Sequence, residues 1–141
     1  MITLKRNPGD RILELGGGGN PIVAPKCMGG NDVNIDARVC HNSAGQQTTD
    51  FTADFEELLA LQVNEFDGVF SQYCLEHVSW RKTKQFIAEA FRVLKPGGKC
   101  VMVTANTESQ LKWIQDNPNG WDGKDAFESF SFVVFGDQDY D

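Results

Sequence analysis

The sequence predicts a doubly wound α/β fold with a mostly parallel sheet. Short β-like runs alternate along the chain with segments of helical periodicity, which is typical of parallel α/β sheets. Four consecutive glycines, at positions 16–19, directly follow the first β-like run, as in folds that bind a ligand where their strands end. The chain has 141 residues and no internal repeat or low-complexity tract, so we expect one domain over residues 1–141.

Several β-like runs are bounded by turn residues and are expected to form the strands. In the second of them, Val33 and Ile35 fall on one face of the strand. The runs are residues 11–15, 32–36, 48–52, 66–71 and 99–104, and a last strand is expected at residues 129–135.

Helices are expected after the third, fourth and fifth strands. Asp54 can cap a helix over residues 55–61, where Glu56 and Glu57 suit the positive end of the helix dipole. The link between the first two strands holds two prolines and a glycine pair, so it has room for one helical turn at most.

The longest predicted helix is capped by Ser79 and runs through Leu94, and the turn at residues 95–98 ends it. Its core-facing positions are Phe86, Ile87, Ala90, Phe91 and Leu94. A further helix begins near Thr107 and is expected to end before Pro118.

Charge and cysteine usage narrow the classes of function. The net charge of −7 and the pI near 4.7 argue against broad nucleic-acid binding through phosphates. The chain has no apolar run long enough to span a membrane and no signal-peptide pattern at its N-terminus. Its four cysteines form no Cys-x-x-Cys pair, so we expect free thiols, no metal site and a cytoplasmic protein.

Two carboxylates and the glycine turn form the candidate site. Asp36 ends the second strand, 20 residues after Gly16, the separation at which an acidic side chain commonly meets a ribose. Asp54 follows the third strand, where it can accept a hydrogen bond from an adenine amino group. Each has a simpler explanation, since Asp36 alone fits a turn and Asp54 alone fits a helix cap.

A nicotinamide dinucleotide site is disfavoured by the glycine spacing. Counting Gly-x-Gly-x-x-Gly from Gly16 places Pro21 at the third glycine position, and counting from Gly17 places Ile22 there. A ligand without a pyrophosphate fits such a turn better.

Five motifs, in order over residues 11–104, give the chain a close resemblance to class I S-adenosylmethionine-dependent methyltransferases. The region they span makes up about two thirds of the chain, and the motifs are residues 12–21 (ILELGGGGNP), 33–36 (VNID), 52–55 (TADF), 66–77 (FDGVFSQYCLEH) and 91–98 (FRVLKPGG). The resemblance implies a Rossmann-like methyltransferase fold of strand order 3-2-1-4-5 plus a C-terminal strand, and S-adenosylmethionine as the cofactor.

The resemblance also implies a role for each matching position. Glu14 and the backbone of Gly16, Gly17 and Gly18 would hold the methionine end of the cofactor, and Asp36 would hold its ribose hydroxyls. The remaining positions are Asp54 and Phe55 beside the adenine, and Ser71 and Gln72 facing the methionine moiety and the methyl group.

A catalytic base is needed only where the acceptor loses a proton, and His77 is the candidate. Glu76 would orient it or bind the substrate; equally, Glu76 and His77 would only support the next helix. The expected function is methyl transfer to a small-molecule acceptor, and the alternative is a catalytically silent module that binds S-adenosylmethionine.

Family members usually add a helix and two strands after strand five, and residues 107–141 do not clearly supply them. We therefore expect either a fragment of a longer chain or a second subunit over the sheet edge, as in a homo-oligomer.

Overall fold

The computed structural model describes residues 4–22, 32–53 and 61–119, and they contain the predicted parallel sheet. Five strands lie in the order β3-β2-β1-β4-β5, and every neighbouring pair is parallel. The strands are β1 (Ile12–Leu15), β2 (Val33–Asp36), β3 (Phe51–Thr52), β4 (Phe66–Gln72) and β5 (Leu94–Val103). The doubly wound order expected from the sequence is thereby confirmed.

The register of the central strands brings their carboxyl ends to one edge. Leu15, the last residue of β1, lies beside Ile35 of β2 and Ser71 of β4. The glycine turn, Asp36 and Gln72 therefore leave the sheet side by side, at the switch point where ligands bind in open α/β sheets.

Apolar packing holds both faces of the sheet. All four residues of β1 are buried, which fits the central strand of a sheet that is covered on both sides. Leu13, Val69 and Phe86 belong to the larger core, and Ile12 and Phe70 pack with Leu4 on the other face. Full burial of one such side chain contributes about 1.5–3 kcal/mol.

The main helix, α1 (Thr83–Arg92), begins later than the sequence predicts. The Ser79 hydroxyl does not cap it, because the Lys82 N–H that it would accept already donates to the Ser79 carbonyl oxygen at 2.8 Å. A short 3-10 helix, Leu75–His77, precedes this turn.

The buried face of α1 also differs in part from the prediction. Phe86 and Ala90 are buried as expected, but Phe91 is 60% exposed. Phe91 follows Ala90 directly, so it lies about 100° around the helix from the buried stripe, and Val93 takes the next core position. The helix ends at Arg92, and Leu94 already pairs with Phe66 as the first residue of β5.

The second helix, α2 (Thr107–Asp116), matches the prediction. Asn106 caps it by accepting the Ser109 N–H at 3.2 Å, and it ends two residues before Pro118. The predicted helix at 55–61, apart from Leu61, and the predicted strand at 129–135 lie outside the described residues. Within the described ranges, no helix is both long and apolar enough to cross a membrane.

Candidate functional site

The first residue of the glycine turn leaves no room for a side chain. Gly16 has a φ of +72°, and a Cβ built there would lie 2.7 Å from both Cβ and Sγ of Cys74. Its N–H donates to the carbonyl oxygen of Ile35 at 2.8 Å, which continues the β1–β2 ladder into the turn. Glycine is therefore required here for both conformation and space.

Side chains from the β2 segment hold the next two glycines. The Gly17 N–H donates to Oδ1 of Asn34 at 3.2 Å, and the Gly18 N–H donates to Oδ2 of Asp36 at 3.0 Å. The Gly18 carbonyl oxygen accepts the Thr48 hydroxyl at 2.7 Å. Both Asn34 and Thr48 are buried, so buried side chains of the protein itself hold the turn in place.

Glu14 anchors the chain that follows the turn. Its side chain is 2% exposed in the middle of β1, and Oε1 accepts the Ile22 N–H at 2.7 Å. This charge-assisted hydrogen bond ties the chain just after Pro21 back to the sheet.

A cavity of about 580 Å³ opens beside the glycine turn. This volume lies within the range of small-molecule sites, roughly 300–1,000 Å³. Among the described residues, its walls are Gly16, Gly18, Asp36, Ala37, Arg38, Tyr73, Cys74, His77, Val78, Ser79 and Lys82.

The structure brings only some of the predicted site residues to this cavity. Gly16, Gly18, Asp36 and His77 line it. The predicted residues that do not line it are Glu14, Gly17, Ser71, Gln72 and Glu76. Asp54 and Phe55 lie outside the described residues.

Ser71 is a buried hydroxyl near the end of β4. It is 1% exposed, and its Oγ makes no hydrogen bond of normal geometry within the described residues. Buried polar groups are nearly always paired, so this hydroxyl has capacity for a further partner.

The thiol of Cys74 packs beneath the glycine turn. Burial raises the pKa of Cys74 to about 12, and the negative charges of Asp36 and Glu76 add to this effect. The Ser71 hydroxyl lies near the thiol and lowers that pKa in part. Cys74 is therefore a neutral packing group at physiological pH.

His77 reaches the cavity from the short 3-10 helix. Its backbone N–H donates to the Cys74 carbonyl oxygen at 3.0 Å, which closes one turn directly after β4. His77 and Glu76 are both half-buried, and only His77 lines the cavity.

Several residues at the site were not predicted from the sequence. Arg38 and Tyr73 are among those that line the cavity, and Asn34 and Thr48 hold the glycine turn. Asn34 carries a detectable signal, since it is a polar residue between the buried apolar residues Val33 and Ile35. Nothing in the sequence marks Thr48, because its partner is a carbonyl oxygen 30 residues away. In the part of the chain that the structure describes, no three His, Cys, Asp or Glu residues are placed to hold a metal ion.

The chain is similar to known methyltransferases. A family profile described as a methyltransferase domain matches residues 13–102. Ubiquinone biosynthesis O-methyltransferase from Roseobacter denitrificans is 27% identical in an alignment of 133 positions, which covers 80% of this chain and 53% of the relative. The enzyme of the same name from a Chelativorans species is 31% identical in an alignment of 106 positions, which covers 70% of this chain and 41% of the relative. The chain thus spans about half the length of these curated relatives.

The fold is also found among solved structures. The crystal structure of a SAM-dependent methyltransferase from Archaeoglobus fulgidus matches with a TM-score of 0.58 and 18% identity. The match covers 89% of this chain and 58% of that protein, so it supports the shared sheet architecture.

Proposed function

The chain belongs to the methyltransferase-domain family, and from this premise we propose that it transfers a methyl group from S-adenosylmethionine to a hydroxyl group of a small molecule. The match bears out the resemblance to class I S-adenosylmethionine-dependent methyltransferases and the cofactor that this resemblance implies. The acceptor and the roles of individual residues are the parts that we propose.

One observation carries the proposal: the glycine turn and the Asp36 carboxylate line the same cavity. The residues present fit the cofactor. Gly16 and Gly18 line the cavity, and the turn has no Cβ atoms between its backbone and that space. A volume of about 580 Å³ is ample for a nucleoside-sized ligand.

Asp36 is positioned to hold ribose hydroxyls. Its Oδ2 accepts the Gly18 N–H at 3.0 Å, and its Oδ1 accepts the Arg38 N–H at 3.3 Å. These two bonds fix the carboxylate plane, and an ionised carboxylate has about four acceptor positions, so two remain available. We assign Glu14 and the backbone of residues 16–18 to the methionine end of the cofactor.

The other assignments follow the order of the strands. Asp54 and Phe55 border the adenine in this proposal, and Ser71 and Gln72 face the methionine moiety from β4. S-adenosylmethionine supplies an electrophilic methyl group on a sulfonium, which reacts by in-line displacement. The chain contributes alignment, because Asn34 and Thr48 hold the turn that would bind the cofactor.

His77 is the proposed general base. His77 lines the cavity, so its imidazole can take the proton from the acceptor hydroxyl as the acceptor oxygen bonds to the methyl carbon. Glu76, the preceding residue, would orient the imidazole or bind the acceptor.

Two observations support a small-molecule hydroxyl as the acceptor. The curated relatives are named as O-methyltransferases of ubiquinone biosynthesis. The net charge of −7 disfavours a nucleic-acid acceptor. We further propose that the protein acts in the cytoplasm, as its free cysteines suggest.

Calorimetry with S-adenosylmethionine and S-adenosylhomocysteine tests the proposal. Asp36→Asn should weaken binding about ten- to hundredfold, because a hydrogen bond to a charged group contributes roughly 1.5–3 kcal/mol. Asp116→Asn, an exposed acid at the end of α2, is the matched control and should bind as the wild type does.

No binding to the folded wild type, or equal binding by Asp36→Asn, would rule the proposal out. Binding without methyl transfer to any of a broad panel of hydroxyl acceptors would favour the catalytically silent module instead.

A further inference from the structure

We propose that Tyr73 is a substrate-binding residue that selects a planar aromatic acceptor by stacking against it. This inference rests on the proposed function, since it concerns the acceptor of the same cavity. It starts from the backbone conformation of Tyr73, the exposure of its ring and its place on the cavity wall.

Tyr73 adopts a conformation that its side chain disfavours. Its φ is +52°, and within the described residues only Asn64, with a φ of +58°, is another non-glycine residue of this kind. Asparagine tolerates the left-handed region because its short side chain bonds locally, whereas a bulky side chain there is a genuine outlier. Such outliers concentrate at functional sites.

The change of chain direction at Tyr73, at the end of β4, explains its left-handed backbone. The Tyr73 N–H donates to the carbonyl oxygen of Val103 at 2.8 Å, and the next residue, Cys74, packs under Gly16. A left-handed residue at the end of β4 allows this change of direction. The geometry explains the backbone but not the side chain, because glycine would provide the same turn without steric cost.

Packing does not explain the tyrosine either. The residue is 55% exposed, so burial of its ring in the core does not account for a tyrosine at this position. Tyr73 nevertheless lines the cavity with His77 and the buried Val78. Tyr73, the buried Val78 and the candidate base His77 thus border one cavity, and an aromatic residue, an apolar residue and a base together fit a flat ring that carries a hydroxyl group.

The test measures binding of catechol to the protein saturated with S-adenosylhomocysteine, by calorimetry. Cyclohexane-1,2-diol is the comparison, because it has the same hydroxyl groups and no π-face. Tyr73→Gly should bind catechol about three- to tenfold more weakly, the range expected for loss of one aromatic pair. Tyr73→Phe should retain the wild-type affinity, and neither variant should change the affinity for cyclohexane-1,2-diol.

Two further measurements separate binding from folding. The urea midpoint of Tyr73→Gly should not fall, since glycine adopts the left-handed conformation freely, and its affinity for S-adenosylhomocysteine should be unchanged. Phe91→Ala removes an equally exposed aromatic ring from α1 and should leave catechol binding unaffected.

The two proposals fail in different ways. If the wild type does not bind S-adenosylhomocysteine, both are overturned. If it binds S-adenosylhomocysteine but not catechol, or if Tyr73→Gly binds catechol as tightly as the wild type, the role of Tyr73 is overturned and the proposed function stands.

Discussion

The hydroxyl of Thr48 donates a 2.7 Å hydrogen bond to the carbonyl oxygen of Gly18, across 30 residues of sequence. The same hydroxyl lies 3.1 Å from the carbonyl oxygen of Cys40, and Thr48 is 5% exposed. One buried side chain therefore connects the glycine turn to the loop that follows β2. The position of Gly18 in the cavity wall therefore depends on Thr48, a residue that lies outside the five motifs.

Thr48→Val should weaken cofactor binding while Thr48→Ser should not. Valine keeps the shape but removes the 2.7 Å donor of the Gly18 carbonyl oxygen, which then keeps only the 3.5 Å contact from Asn34 Nδ2, at a cost of about 1 kcal/mol. Calorimetry with S-adenosylhomocysteine should show an affinity loss of about fivefold or more for Thr48→Val. Equal affinities for the valine and serine variants would contradict a positioning role for this hydroxyl.

Gly16→Ala should destabilise the protein more than Gly45→Ala. Both residues have positive φ, +72° and +75°, so alanine is strained at either position. Only the Gly16 side chain would meet atoms within 4 Å, those of Cys74. Urea unfolding should give a difference of about 1–3 kcal/mol between the two variants, the usual cost of overpacking. Equal losses would mean that the turn can move away from Cys74.

The carboxylate of Asp67 should make stability depend on pH. It accepts the Arg11 N–H at 2.9 Å and the Lys95 ammonium at 2.8 Å, and these contacts lower its pKa from the ordinary 3.8. A carboxyl whose pKa is lowered by folding stabilises the protein above its unfolded pKa, and this contribution is lost as the pH falls through the folded pKa.

Urea midpoints of the wild type and Asp67→Asn, measured from pH 7 down to about 2, test this linkage. The wild type should be more stable at pH 7, and the difference should shrink only below the ordinary pKa of 3.8. A gap between wild type and Asp67→Asn that is constant over the whole range would contradict the linkage.

Cys74 should resist alkylation in the folded protein. With a pKa of about 12, about one thiol in ten thousand is ionised at pH 8, and the side chain is 4% exposed. Iodoacetamide followed by mass spectrometry should therefore modify the half-buried Cys40 well before Cys74. In urea the two should react alike, and rapid labelling of native Cys74 would show that the glycine turn opens readily.

Local patterns were sufficient for the order of the strands and for α2, and insufficient for the bounds of α1 and β5. The apolar residues of β1 and the apolar pair in β2 predicted strands that the structure places side by side in the sheet. The expected start of α1 at Ser79 was wrong, because the Lys82 N–H donates to the backbone carbonyl oxygen of Ser79 and not to its side-chain hydroxyl. Capping depends on which acceptor lies within hydrogen-bonding distance of a given N–H group, and the local path of the chain decides this.

The sequence by itself determined the fold, the family and the edge of the sheet at which the glycine turn and Asp36 lie. It could do so because strand patterning, four consecutive glycines and an acid 20 residues after Gly16 are local features of fixed spacing. Only the tertiary structure showed that Thr48 holds Gly18 and that Cys74 excludes a side chain at Gly16. It also showed that Tyr73 has a positive φ and lines the cavity. These contacts join strands and loops far apart in the chain, and their strength depends on distance and burial, which no spacing along the sequence records.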